Sequence, residues 1–135
     1  MRNMIRTAVL AALLAFAKPA LAQYNAPSLP AQSSGLVGAV NFCQSRCTMW
    51  TASITTGSTA GYWMVFDSPT IPADGLLKIA AKYCWYWPAN YSNGWFWPGG
   101  IPFVSGMTFV FSTGADCAHK TASQTAFFTV QVQSQ

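Results

Sequence analysis

The chain has 135 residues, 52% of them hydrophobic and only 7% charged, so it has material for one core and few charges to keep its surface in water. Its formal net charge of +4 is misleading, because Arg2, Arg6 and Lys18 all fall near the start. Beyond them Arg46, Lys78, Lys82 and Lys120 face Asp67, Asp74 and Asp116, and no basic run is left to release phosphate counterions, which argues against a nucleic-acid partner.

Residues 1–22 read as a secretory signal peptide. Arg2 and Arg6 precede an apolar run from Ala8 to Ala17, and Ala20-Leu21-Ala22 is a small-x-small cleavage site. The run is shorter than the roughly 18 to 20 residues of a membrane span, so no membrane association is expected after cleavage; an uncleaved anchor is the alternative. Residues 23–34, QYNAPSLPAQSS, read as a flexible linker, and 35–135 as the folded domain. The expected location is outside the cytoplasm: secreted, periplasmic, or on a cell or virion surface.

From Gly35 the pattern is that of strands. Leu36, Val40 and Phe42 share one parity; Trp50, Ala52 and Ile54 repeat it after a Cys43–Cys47 corner. Gly61 to Phe66 is an unbroken apolar run that suits a central strand covered on both faces. Asp67 to Gly75, DSPTIPADG, is a loop whose Asp67 and Asp74 read as turn and cap carboxylates rather than calcium ligands, since no regular ladder of acidic positions is present.

Leu77, Ile79, Ala81, Tyr83, Trp85 and Trp87 then alternate with polar or smaller residues, the clearest period-two signal in the chain. Trp85-Tyr86-Trp87-Pro88 and Trp95-Phe96-Trp97-Pro98 flank the turn-forming stretch Ala89 to Gly94. Paired as a hairpin, they set Trp87 opposite Trp95 and Trp85 opposite Trp97, and the four indoles form one slab. Trp85 is expected to continue the core, with Trp87, Trp95 and Trp97 partly exposed nearer the tip. Met107, Phe109 and Phe111 mark a further strand; Gln124, Ala126, Phe128, Val130 and Val132 mark the last. Seven or eight short strands without a helix predict an all-β antiparallel sandwich, Ig-like or jelly-roll-like, or a small barrel, and local hairpin order predicts a meander with one or two crossovers.

The four cysteines, Cys43, Cys47, Cys84 and Cys117, are expected in two disulfides in an oxidising compartment. Of three possible pairings, Cys43 with Cys47 and Cys84 with Cys117 is favoured. Zinc is the weaker alternative, because Cys-x3-Cys lacks a matching second knuckle. No other metal or cofactor is expected.

Catalytic chemistry finds little support. Asp116-Cys117-Ala118-His119 places a thiol near the only histidine, but a disulfide would silence Cys117. No Gly-x-Ser-x-Gly elbow occurs, and three scattered Asp residues make no obvious acid/base pair. Asn90-Tyr91-Ser92 fits a glycosylation sequon without further support. A binding role is therefore expected, with Trp87, Trp95 and Trp97 supplying flat apolar faces and Asn90, Tyr91 and Asn93 polar contacts. The partner is then a surface glycan or protein, or further copies of the chain.

One ordered series of segments resembles a known family: Gly61 to Asp67 (GYWMVFD), Ile71 to Gly75 (IPADG), Pro88 to Asn90 (PAN), Phe109 to Gly114 (FVFSTG) and Lys120 to Phe128 (KTASQTAFF). They are similar, in that order, to small β-rich proteins encoded by tailed phages and, often as prophage genes, by proteobacteria. The resemblance spans roughly Gly61 to the C-terminus. It implies a compact β-sandwich with a virion or surface-structural role and carries no catalytic residues; the export signal and the tryptophan pair are departures from the family pattern.

Overall fold

The computed structural model describes residues 31–121 and 126–135. The signal peptide, most of the linker and Gln124 lie outside these residues. Among them are ten strands: β1 (Ala31–Val37), β2 (Ala39–Cys43), β3 (Cys47–Thr56), β4 (Gly61–Asp67), β5 (Gly75–Leu76), β6 (Tyr83–Trp87), β7 (Ser92–Phe103), β8 (Met107–Ser112), β9 (His119–Lys120) and β10 (Ala126–Ser134). The first begins at Ala31, inside the stretch read as linker. Its polar sequence is held by pairing with β10, and Ser34 Oγ accepts the Phe128 N–H at 3.0 Å where the ladder bulges.

Eight strands form two four-stranded antiparallel sheets. Sheet A has the order β1-β10-β3-β7 and sheet B the order β2-β8-β4-β6, while β5 and β9 pair separately. Successive strands of the two sheets alternate between them, except that β4 and β6 are neighbours in sheet B. This order is that of a jelly roll, one of the two sandwich types the sequence predicts, and not the expected meander, because successive strands, apart from β4 and β6, cross between sheets instead of pairing as hairpins.

The interior is aromatic. Trp63 on β4 is fully buried and its ring lies 5.2 Å from Phe109 and 6.4 Å from Phe128. Alternate residues of β10, Ala126, Phe128, Val130 and Val132, face it from sheet A. As its apolar run predicts, β4 is covered on both sides: Trp63 and Val65 join this core, and Met64 and Phe66 form a second cluster with Val110 on the outer face of sheet B.

Three expectations are corrected. The two Trp-x-Trp-Pro units do not form a hairpin: Trp85 and Trp87 pair with β4 in sheet B, Trp95 with β3 in sheet A. The turn between them carries the chain across the sandwich.

Trp50 does not share a face with Ala52 and Ile54. The ladders of β3 skip it, so Cys47 and Met49 face inward before it and Ala52, Ile54 and Thr56 after it. Across from this bulge, residues 97–100 of β7 bulge as well.

Leu77 to Trp87 is not one strand. The β4 ladder ends at Asp67, just before Pro69, so residues before Tyr83 have no strand of sheet B to pair with. They turn back instead: the Lys82 N–H donates to Val65 O at 2.8 Å, and Leu77 and Ala81 pack on the second cluster rather than beside the tryptophans. Residues 68–82 thus form a flap over the outer face of sheet B. Its start is pinned by Asn41, whose Nδ2 donates to Pro69 O (2.9 Å) and Thr108 Oγ1 (2.8 Å), and by the Thr108 hydroxyl, which donates to Ser68 O (2.8 Å).

Both favoured disulfides are formed, Cys43–Cys47 and Cys84–Cys117. The second ties β6 to the loop before β9. Among the described residues no helix is long and apolar enough to cross a membrane.

Candidate contact surface

Strands β6 and β7 are edge strands of different sheets, and their inward-facing rings meet across the gap between them. Tyr83 and Trp85 stack at 5.3 Å with planes 2° apart, Trp85 on Trp95 at 5.3 Å and 24°, and Trp95 on Trp97 at 6.3 Å and 29°. All four rings are half-buried, so the row closes the seam between the sheets and keeps part of each ring in solvent. Behind it, Trp63 touches Trp85 (5.4 Å), Trp87 (5.8 Å) and Trp95 (5.2 Å). Aromatic pairs at such spacings add stability beyond the area they bury and leave the rings little freedom to move.

Trp95 and Trp97 are partly exposed as expected, but Trp85 and Trp87 exchange places. Trp87, placed near an exposed tip by the hairpin reading, is buried at 4% exposure, because it lies inside the sandwich against Trp95 (5.0 Å) and Trp63; Trp85 is the half-buried one. Trp95 and Trp97 are half-buried. Tyr91 is exposed and meets the Trp87 ring edge-on at 5.6 Å.

Trp87, Trp95, Trp97 and Tyr91 are therefore brought into one array. Asn90 and Asn93 are exposed beside it, in roles that serve the turn. Asn90 adopts a positive φ of 52° and its N–H donates to Gly57 O, while Asn93 Oδ1 accepts the Gly94 N–H at 2.8 Å. Thr56 anchors the turn, its hydroxyl donating to Pro88 O (2.6 Å) and accepting the Tyr91 N–H (3.1 Å).

Next to the seam lies a surface that strand parity alone did not single out. The four strands of sheet A contain no Asp, Glu, Lys or Arg. On its outer face Leu36, Phe127, Thr55 and Ser92 form one cross-strand row, and Ala31, Gln131, Thr51 and Phe96 another. The row between them is Ser33, Thr129, Ser53 and Gly94. Thr55 and Ser92 share a hydroxyl bond of 2.7 Å, and Leu36 and Phe96 are exposed at opposite edges. The signal for this face was present in the sequence as four strands free of charge.

The charged groups lie elsewhere. Partial burial pushes the Asp67 carboxyl up, but the N–H groups of Ser105 and Val104 and the nearby Lys82 ammonium outweigh it, so its pKa is held below the usual carboxylate range. Lys82 lies 3.6 Å from Asp67, and the buried Lys120 pairs with Asp74. Asp67 and Asp74 are thus both engaged by protein groups, and among the described residues no cluster of His, Cys, Asp or Glu is arranged to hold a metal.

His119 meets Asp116 at 2.9 Å, both about half exposed. The hydrogen bond from His119, with the Ala118 N–H, holds the Asp116 carboxyl below its ordinary range. The Cys117 sulfur beside them is in a disulfide, so the thiol, imidazole and carboxylate do not form a nucleophilic set.

The fold and surface together define a disulfide-bonded jelly roll with one uncharged sheet and an aromatic seam. Neither a family model nor a curated protein matches the sequence. Among solved structures the chain is similar to the coat protein of Tobacco streak virus, at 12% identity over 78% of this chain and 81% of that one, with a TM-score of 0.37. The jelly-roll assignment rests on strand order and not on this likeness.

Proposed function

We propose that the protein is an exported, non-catalytic module that works by surface contact, in assembly or in recognition, and that the contact is made by the outer face of sheet A and the seam beside it. The observation that carries this reading is the absence of any charged side chain from all four strands of sheet A. Solvated sheet faces ordinarily carry Lys and Glu, and edge strands use such charges to avoid unwanted pairing. Here a hydroxyl- and amide-bearing plane with apolar residues at both edges is suited to a neutral partner. Bulges in β1 and β7, and Pro98 and Pro102 in β7, disfavour growth by edge pairing, so the face rather than the edge is the contact.

The partner this surface fits first is another copy of the chain. The sequence resemblance to phage and prophage proteins implies a virion or surface-structural subunit, and jelly rolls serve such assemblies, although the fold also hosts unrelated functions. Native mass measured over a range of concentration tests it. Reversible oligomers support assembly through this face, and a monomer at every concentration rules self-assembly out.

A second reading, glycan recognition, is favoured by the near-parallel rings of Tyr83, Trp85, Trp95 and Trp97, with Asn90, Tyr91 and Asn93 adjoining. It predicts a shift of tryptophan emission when a neutral oligosaccharide is added to the monomer. An unchanged spectrum at saturating sugar removes it.

A further inference from the structure

The flap does more than connect strands. On its outer side are two adjoining concavities, of about 360 and 330 Å3, that share Leu77 and Ile79. One is completed by Ala80, Ala81, Ala118 and the Cys84–Cys117 disulfide, the other by Thr70 to Asp74, Leu76 and Lys78. Both lie at the lower end of the range, roughly 300 to 1,000 Å3, that small ligands occupy. Ile71, Leu76 and Ile79 are 46%, 69% and 43% exposed along this groove, an apolar surface that water disfavours.

The groove has firm walls. The disulfide, the β5–β9 pair, the Lys120–Asp74 ion pair and the bond from the Leu77 N–H to Ala118 O (2.8 Å) hold its two sides together. Its polar inventory is short. Asp74 is neutralised by Lys120, and the Thr70 hydroxyl lies 3.2 Å from Ser68 Oγ. Lys78 alone is exposed at the groove with no ion pair among the described residues, whereas Lys82 and Lys120 are both paired.

The lining is mostly apolar, which suits an alkyl chain better than an extended peptide, whose backbone groups each need a hydrogen-bond partner. We propose that the groove binds a single-chain amphiphile with an anionic head group. Its chain lies along Ile71, Leu76, Leu77 and Ile79, and its head group meets the Lys78 ammonium. This site is separate from the sheet A surface and does not depend on it.

The test is titration of the oxidised protein with dodecanoate below its micelle-forming concentration, followed by calorimetry, with dodecyltrimethylammonium as the cationic counterpart. One saturable dodecanoate site is expected, with weaker binding of the cationic chain. Replacing Lys78→Glu should weaken dodecanoate about fivefold, the effect of one exposed ion pair. Ile79→Ser should weaken both chains about tenfold, by loss of apolar contact. Both side chains are exposed, so near-ultraviolet circular dichroism should be unchanged in either variant. The absence of a saturable site, equal affinity for the two head-group charges, or indifference to Ile79→Ser overturns the proposal. So does a native mass showing the groove closed by a second copy and opened by Ile79→Ser.

Discussion

The two sheets have equal strand numbers and share one core, but their outer faces are finished in opposite ways. Sheet B carries a second apolar layer of Met64, Phe66 and Val110, covered by a flap that two ion pairs hold in place, beside a loop that a disulfide ties to β6. Among the described residues sheet A has no such cover, and its strands carry no charge; its outer face is Thr, Ser and Gln with a few apolar side chains. The difference shows where the chain places its few ionisable groups. Three pairs of them, Lys82 with Asp67, Lys120 with Asp74 and His119 with Asp116, fasten loops on and around sheet B, and the strands of sheet A carry none.

The largest effect is expected where the two sheets meet. Trp63 is fully buried between them and touches rings from both, so Trp63→Ala should cost about 3 to 5 kcal/mol in denaturant unfolding. Loss of much less would mean that the sheets do not share a core as described. Next comes the tether of the loop before β9, whose Ala118 O holds the flap through the Leu77 N–H. The Cys84–Cys117 bridge spans 33 positions, and by the loop-entropy model the double change to Ser should cost about 3 to 4 kcal/mol. It should also raise hydrogen exchange at Leu77 and Lys120 while sparing Val130 on sheet A. Equal loosening of both sheets would erase the contrast drawn between them.

Asp67 gives a smaller, pH-dependent term. Its folded pKa is depressed, so the unfolded chain binds its proton more readily, and the group stabilises the fold above the unfolded value near 4. That contribution is lost as pH falls through the lower, folded value. Asp67→Asn should therefore cost about 1 to 2 kcal/mol near neutrality, for the bonds from Val104 and Ser105, and the gap to the wild type should narrow in acid. A gap independent of pH would mean that the carboxylate charge is not what those N–H groups hold.

Much of the fold was readable because parity survives where a strand keeps a partner on each side. The alternation of β10 and the unbroken run of β4 led directly to the observed core. The sequence reading failed where pairing, not periodicity, decided the outcome. Trp50 alternates correctly with Ala52 but sits in a bulge set by the partner strands. Leu77 to Ala81 keep the alternation of Tyr83 to Trp87 but have no strand beside them, because the β4 ladder stops before Pro69. The tryptophan units carry a strong turn signal between them, and a turn joins two strands equally well within one sheet or across two. The indoles still gathered, as apolar rings do, around Trp63, a residue the hairpin reading had left out. Of the proposed site, the rings were legible one by one, whereas the uncharged face needed the strand order to bring four separate segments side by side.

The smallest expected change in stability bears most directly on function. Thr129 lies near the middle of the sheet A face, on β10, half-buried between Ser33 and Ser53. A lysine there has room to extend its ammonium into solvent, so Thr129→Lys should shift unfolding by no more than about 0.5 kcal/mol. In a contact made through this face, however, the same charge would be buried without a partner, and it should abolish association that native mass detects in the wild type. Ala115→Lys, on the exposed loop before β9, adds the same charge near sheet B and should leave association intact. If both variants associate as the wild type does, the uncharged sheet is only a solvated surface, and the contact lies elsewhere on the molecule.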